Sequence, residues 1–370
     1  VVQVALREED RLEYSSWPPK PLDWQVLLKA LQAHEPAVLV LATPLAWGNP
    51  PPEFVPALAE TLLPFTQVVS AVEATLAEGK AVDSPPFMGE LAERLPRFQN
   101  VDGQIQGAPA LSALVLAPDP ALRATSELGL EAAMSLKDTW RLPYALRAEG
   151  ELYPSLLAQV LARLTGTPYA QHRLRLGQGA AAYLSGGVFV PLANDGTLEV
   201  RSEPQVPVVN ALDLMTGTLA DALTEKDRAA LGRGKVIVVG LDHEDPARAR
   251  PAYLLAQALA EVLSLPRLRR LVGWQQGLVW ALAVLGAAWT AVGRGSRHPL
   301  RSGLMCLFVA LLLSFCAFQA ALLWCPPAMP AALLATGAVL GLITGGGQKG
   351  KEAAAEEPSP AAGRSNDIVS

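Results

Sequence analysis

The 370-residue chain carries 30 basic and 35 acidic residues for a net charge of −5, and 51% of it is apolar. That balance, with no Lys/Arg cluster interleaved with aromatics, excludes nucleic acid as a partner, because phosphates need clustered positive charge. The three cysteines, Cys306, Cys316 and Cys325, all fall late, so residues 1–266 have no disulfide framework and no cysteine metal site.

The length suggests two domains, and the composition changes near Pro266. VVQVAL (1–6) has a buried-strand pattern, and because the sequence opens on it without methionine, a signal or anchor is expected upstream of Val1. PLDWQVLLKALQAHEP (21–36) places Trp24, Leu27, Leu28 and Leu31 at helical spacing. A strand is predicted at AVLVLAT (37–43), a helix at PEFVPALAETLLPF (52–65) and a third strand at TQVVSAVEAT (66–75). Residues 76–120 are rich in Pro, Gly and Ala; within them only FMGELAERL (87–95) reads as helical.

TWRLPYALRA (139–148) reads as one strand, and YPSLLAQVLARLTG (153–166) as a helix stopped by glycine. VFVPLANDGTLEVR (188–201) carries a hairpin signal at Asn194, Asp195 and Gly196. Short helices are predicted at 210–217 and 223–231, a β-branched strand at GKVIVVG (234–240), and an apolar helix at 251–265. Strands alternating with helices predict an α/β fold with a mixed or largely parallel sheet and flanking helices.

Three uncharged apolar stretches follow at 271–292, 303–324 and 328–345. About 20 apolar residues in a helix span about 30 Å of hydrocarbon, so the three predict a transmembrane helical bundle. Gly337, Gly341 and Gly345 recur on one face of the third stretch, and Ala283, Ala287 and Ala291 on the first. Such small-residue stripes predict close helix packing, between spans or between copies in a homo-oligomer. The connector and tail carry Arg294, Arg297, Arg301, Lys349 and Lys351, against Arg267, Arg269 and Arg270 on the other side. The positive-inside rule then places the large domain outside the cytoplasm. The tail 346–370 is small, charged and Pro-containing, too short for a catalytic output domain.

The order of these elements resembles the CHASE-two family of extracytoplasmic sensor domains. The resemblance rests on the first strand, the helix with the Trp17-Pro18-Pro19 start, and the second strand. It continues through RLPYALRAEGELYPSLLAQVLARLTG (141–166), VPLANDGTLEVR (190–201), VPVVNALDLMTG (206–217) and LGRGKVIVVG (231–240). LPRLRR (265–270) and the apolar stretches complete it. Residues 76–120 read as an insertion or a diverged region. The resemblance implies a bacterial cytoplasmic (inner) membrane protein with a sensor domain at 1–266 and spans at 271–345. It would act through other membrane or envelope proteins, with the lipid bilayer as a further partner. The alternative it implies is the sensor part of a receptor whose cyclase, kinase or diguanylate cyclase output is not in this sequence. Family members tend to carry acids at strand ends; here the first strand continues into Ala5 and Leu6, and the second ends in Ala42 and Thr43.

The chemistry-bearing motifs are weak. Asp242, His243 and Asp245, with Glu244, follow the GKVIVVG strand and are the only candidate metal ligands, but consecutive residues cannot all face one ion, and a solvated loop fits them better. GRGK (232–235) lacks phosphate-loop spacing, and Ser185 lacks the glycine of a nucleophile elbow. His34, His172 and His298 stand alone. The expectation is therefore a non-catalytic sensor-like or scaffold subunit with no cofactor and no metal.

Overall fold

The computed structural model describes residues 1–48, 54–77, 89–136, 139–200, 206–216, 231–242 and 251–265. From the remainder it describes 269–270, 279, 281–288, 304–310, 323–324, 332, 334–336 and 339–340. The chain divides into two compact units, Val1–Leu265 and Pro266–Ser370.

In the first unit the described elements run β1 Val2–Arg7, α1 Pro21–Gln32, β2 Val38–Leu41, α2 Phe54–Leu62, β3 Val68–Leu76, α3 Glu90–Arg94, β4 Asn100–Asp102, β5 Leu111–Leu116 and α4 Pro120–Thr125. Next come β6 Glu127–Glu131, β7 Met134–Leu136, β8 Thr139–Pro143, β9 Ala145–Ala148, β10 Glu151–Pro154, α5 Leu156–Thr165, β11 Arg173–Arg175 and β12 Ala181–Tyr183. The unit ends with β13 Phe189–Pro191, β14 Thr197–Val200, β15 Val208–Asn210, α6 Ala211–Thr216, β16 Val236–Asp242 and α7 Pro251–Ser264.

Six parallel strands form the central sheet in the order β15-β1-β16-β2-β3-β6. Their sequences show why both faces are covered. In β2, Leu39 and Leu41 pack with Trp24, Leu27 and Leu31 of α1 and with Leu58 of α2. Val38 and Val40 point the other way, into a core built with Leu156 and Leu157 of α5 and Leu255 and Leu259 of α7. A strand with no polar face must be buried on both sides, and helices on both faces of a parallel sheet do this. The β7-β8-β14 and β4-β11-β12-β13 sheets add side chains to the α5/α7 core.

Two sequence expectations fail locally. The stretch 139–148 is two strands, β8 and β9, which join different sheets. The signal at Asn194–Gly196 makes a tight turn, with Gly196 N–H donating to Ala193 O at 2.8 Å, but no hairpin. Instead β13 pairs with β12 and β14 with β8, since a turn fixes local reversal and not the partner. The helix expected at 223–231 lies outside the described residues.

β3 outruns its neighbour. Val69 and Ser70 pair with β2 on one side and β6 on the other, and Glu73 pairs with both Glu131 of β6 and Leu116 of β5. Each residue has one neighbour per side, so antiparallel β5 lies on the β2 side of β3, beyond the carboxyl end of β2. It walls the space above that strand end.

The transmembrane bundle expected at 271–345 is corrected. Among the described residues no helix is long and apolar enough to cross a membrane. The described residues there include helical stretches at 281–288 and 304–310, and a span needs about 20 helical residues to cross roughly 30 Å of hydrocarbon. Within the second stretch Leu323–Trp324 is extended and pairs with Arg269–Arg270. An apolar run in a sequence counts side chains, whereas crossing requires one unbroken helix that satisfies every backbone group internally. The multi-pass inner-membrane location inferred from those spans loses its support with them. The other residues of the three stretches, and the tail, lie outside those described.

Candidate ligand-binding cleft

A cleft of about 400 Å³ opens at the carboxyl ends of β2, β16, β3 and β6. The topology creates it. After β2 the chain leaves toward α2 on one face, and after β16 toward α7 on the other. Adjacent strands whose continuations diverge leave a gap between them, where ligands of open α/β sheets collect.

Its walls are held in place by local contacts. Thr43, just past β2, accepts a hydrogen bond from the Leu241 N–H at 3.0 Å. Gly240 lets α7 close in, since a Cβ there would lie 2.6 Å from the Ala252 Cβ. Trp47 stands at the rim, its indole N–H donating to Pro19 O at 3.1 Å, and the ring of the buried Trp24 contributes to the wall. Asp23 fixes the segment leading into α1 by accepting hydrogen bonds from the Lys20 N–H at 3.0 Å and from the Ser15 hydroxyl.

The chemistry of the cleft lies in Glu73 and Glu131, register partners on adjacent parallel strands and both part of the lining. Paired residues on neighbouring strands point to the same side of a sheet. Among the described residues neither carboxylate has a hydrogen-bond or ion-pair partner. Burial, reinforced by the Glu73 charge, raises the Glu131 pKa from 4.5 to about 8. Near neutrality Glu131 therefore keeps its proton.

Sequence reading missed this pair. The signal was present, since Glu73 interrupts the apolar VVSAVEAT and Glu131 ends ELGLE, but the second run was not recognised as a strand.

The residues singled out from sequence are scattered. Asp242 ends β16, while His243, Glu244 and Asp245 lie outside the described residues. Among the described residues no group of three or more His, Cys, Asp or Glu could hold a metal. Ser185 opens a short 3-10 turn, its N–H donating to the Thr167 hydroxyl, and Lys235 directly precedes β16. His34 is partly buried, which lowers its pKa. His172 is not isolated: it is wholly buried, its Nε2 lies 2.8 Å from the Tyr144 hydroxyl, and the rings of Phe98 and Tyr169 pack on it. His298, Gly337, Gly341, Gly345 and Ala291 lie outside the described residues. Ala283 is buried and Ala287 half-buried. A Cβ on Gly286 would sit 2.9 Å from a Leu334 methyl, so the first and third apolar stretches touch at that point.

No family model, curated protein or solved structure matches the chain.

Proposed function

We propose that residues 1–265 form a non-enzymatic, sensor-like module that binds a small ammonium-bearing molecule in the strand-end cleft and relays its occupancy to a partner protein. The observation that carries this reading is the Glu73–Glu131 pair, without a partner among the described residues, in the lining of a cleft of small-molecule size. A cation between the two carboxylates would offset the burial that, with the smaller repulsion from Glu73, keeps Glu131 protonated, and Trp47 is among the lining residues. Among the described residues the lining offers proton-transfer groups but no nucleophile hydrogen-bonded to a base, which favours binding over turnover. For the relay, β5 rims the cleft with Leu116 40% exposed and Val115 53% exposed. Among the described residues β5 pairs only with β3, and a strand edge left so is a surface to which another chain can add.

The test is calorimetric titration of the full chain with putrescine, choline and lysine methyl ester, with glycerol as the uncharged control. At least one amine should bind saturably and be recovered unchanged, and Glu73→Gln/Glu131→Gln should weaken it at least tenfold. Equal binding by the double variant, or no binding of any amine, refutes the ligand class. Conversion of the amine refutes the non-enzymatic reading.

A further inference from the structure

A second cleft, of about 370 Å³, lies at the amino-terminal end of β6, and its charge has the opposite sign. Arg94 from α3, Arg123 from α4 and Arg163 from α5 line it, with Glu127 as the acid among them. Glu127 is already engaged: its carboxylate accepts from the Arg163 guanidinium and from Gln159 Nε2. Gln159 Oε1 in turn accepts from the Tyr169 hydroxyl at 2.6 Å. That network neutralises Arg163 and fixes one wall.

Arg94 and Arg123 differ from it. Arg94 Nη1 donates to Arg123 O at 3.0 Å, and Arg123 Nε donates to Pro118 O. Carbonyl acceptors position a guanidinium but leave its charge uncompensated, and among the described residues neither arginine has a carboxylate partner. Two positioned guanidiniums with donors to spare, on a concave surface, match a tetrahedral dianion in charge and in hydrogen-bonding geometry.

We propose that the Arg94/Arg123/Arg163 cleft binds a phosphate group, free or carried by a small molecule. The site is independent of the strand-end cleft, since the two lie at opposite ends of β6. Three basic groups around one compensated acid leave an excess charge near +2, which a phosphate with its second proton lost, above a pKa of about 6, balances. The wall formed by Tyr169 and Pro96 gives room for an organic body beyond the phosphate.

The experiment is titration of the full chain with inorganic phosphate and with phenyl phosphate at low ionic strength and pH 7.5, repeated at pH 5.5. Saturable 1:1 binding of either, at least fivefold weaker at pH 5.5, supports the site. Tighter binding of phenyl phosphate identifies an esterified ligand, and equal binding identifies the free ion. Arg94→Gln, at an exposed position, should weaken binding at least fivefold without lowering the melting temperature, and Arg94→Gln/Arg123→Gln should weaken it further. Glu131→Gln should leave phosphate binding intact. The proposal fails if neither probe binds saturably or if the double variant binds as the unaltered chain does.

Discussion

Among single side chains, the buried Tyr144–His172 pair shows how a polar group is tolerated in this core. Tyr144 and His172 are both 0% exposed, and each supplies the other's nearest hydrogen-bond partner. Burial raises the Tyr144 pKa and lowers that of His172 to about 4, so both stay neutral near pH 7. His172 Nδ1 has no partner, so the Nε2 contact is the only hydrogen bond the ring makes among the described residues. Tyr144→Phe would leave both ring nitrogens buried without partners, at about 1–3 kcal/mol. Urea unfolding at pH 7.5 should show that loss, whereas a midpoint unchanged from the parent chain would mean the pair contributes nothing. A lone histidine in a sequence gives no hint of this arrangement. Its partner lies 28 positions earlier, and only the fold brings the two together.

At the level of elements, α5 was legible because its signals are local. Ser155 caps the start, its Oγ accepting from the Ala158 N–H at 3.2 Å, and Gly166 ends the helix in the left-handed region at φ +59°. Ser155→Ala should cost about 1 kcal/mol by thermal or urea unfolding. The strand β6 was not legible, since ELGLE is short and its glycine reads as a breaker. The structure supplies the reason for that glycine: a Cβ on Gly129 would lie 2.7 Å from the Leu156 Cα, where α5 crosses the strand. Gly129→Ala should therefore force helix and strand apart and destabilise by about 1–3 kcal/mol, more than loss of the cap. Because β6 went unrecognised, so did Glu131, and the carboxylate pair with it. The first two strands were readable as short apolar runs, and α1 from the helical spacing of Trp24, Leu27, Leu28 and Leu31. The small β-sheets were not, because their partners are set by tertiary packing and the turn at Asn194–Gly196 constrains only its own backbone.

For the molecule as a whole, two buried titratable groups act on stability in opposite directions, and their balance is measurable. His172 has its pKa lowered from 6.5 to about 4. Between those values the unfolded chain holds the extra proton, so this contribution is full above pH 6.5 and declines as pH falls toward 4. Glu131 has its pKa raised from 4.5 to about 8, and here the folded chain holds the extra proton. Its contribution is full below pH 4.5 and is lost as pH rises toward 8. Each acts with a slope of about 1.4 kcal/mol per pH unit, so from pH 4.5 to 6.5 the two cancel. Of these two only Glu131 still acts above 6.5, and its contribution should fall by roughly 2 kcal/mol by pH 8, opposed in part by the Val1 amino group, whose pKa burial lowers from 8.0. Glu131→Gln removes that term. The variant should lose nothing between pH 6.5 and 8, and should gain stability from pH 4.5 to 6.5 as His172 acts unopposed. Urea unfolding of both proteins at pH 5, 6.5 and 8 distinguishes the cases, and parallel profiles for the two would show that Glu131 is ionised in the empty cleft. An ionised pair would also remove the proton-for-cation exchange from the binding reaction, so the same profile bears on how the cleft takes its ligand.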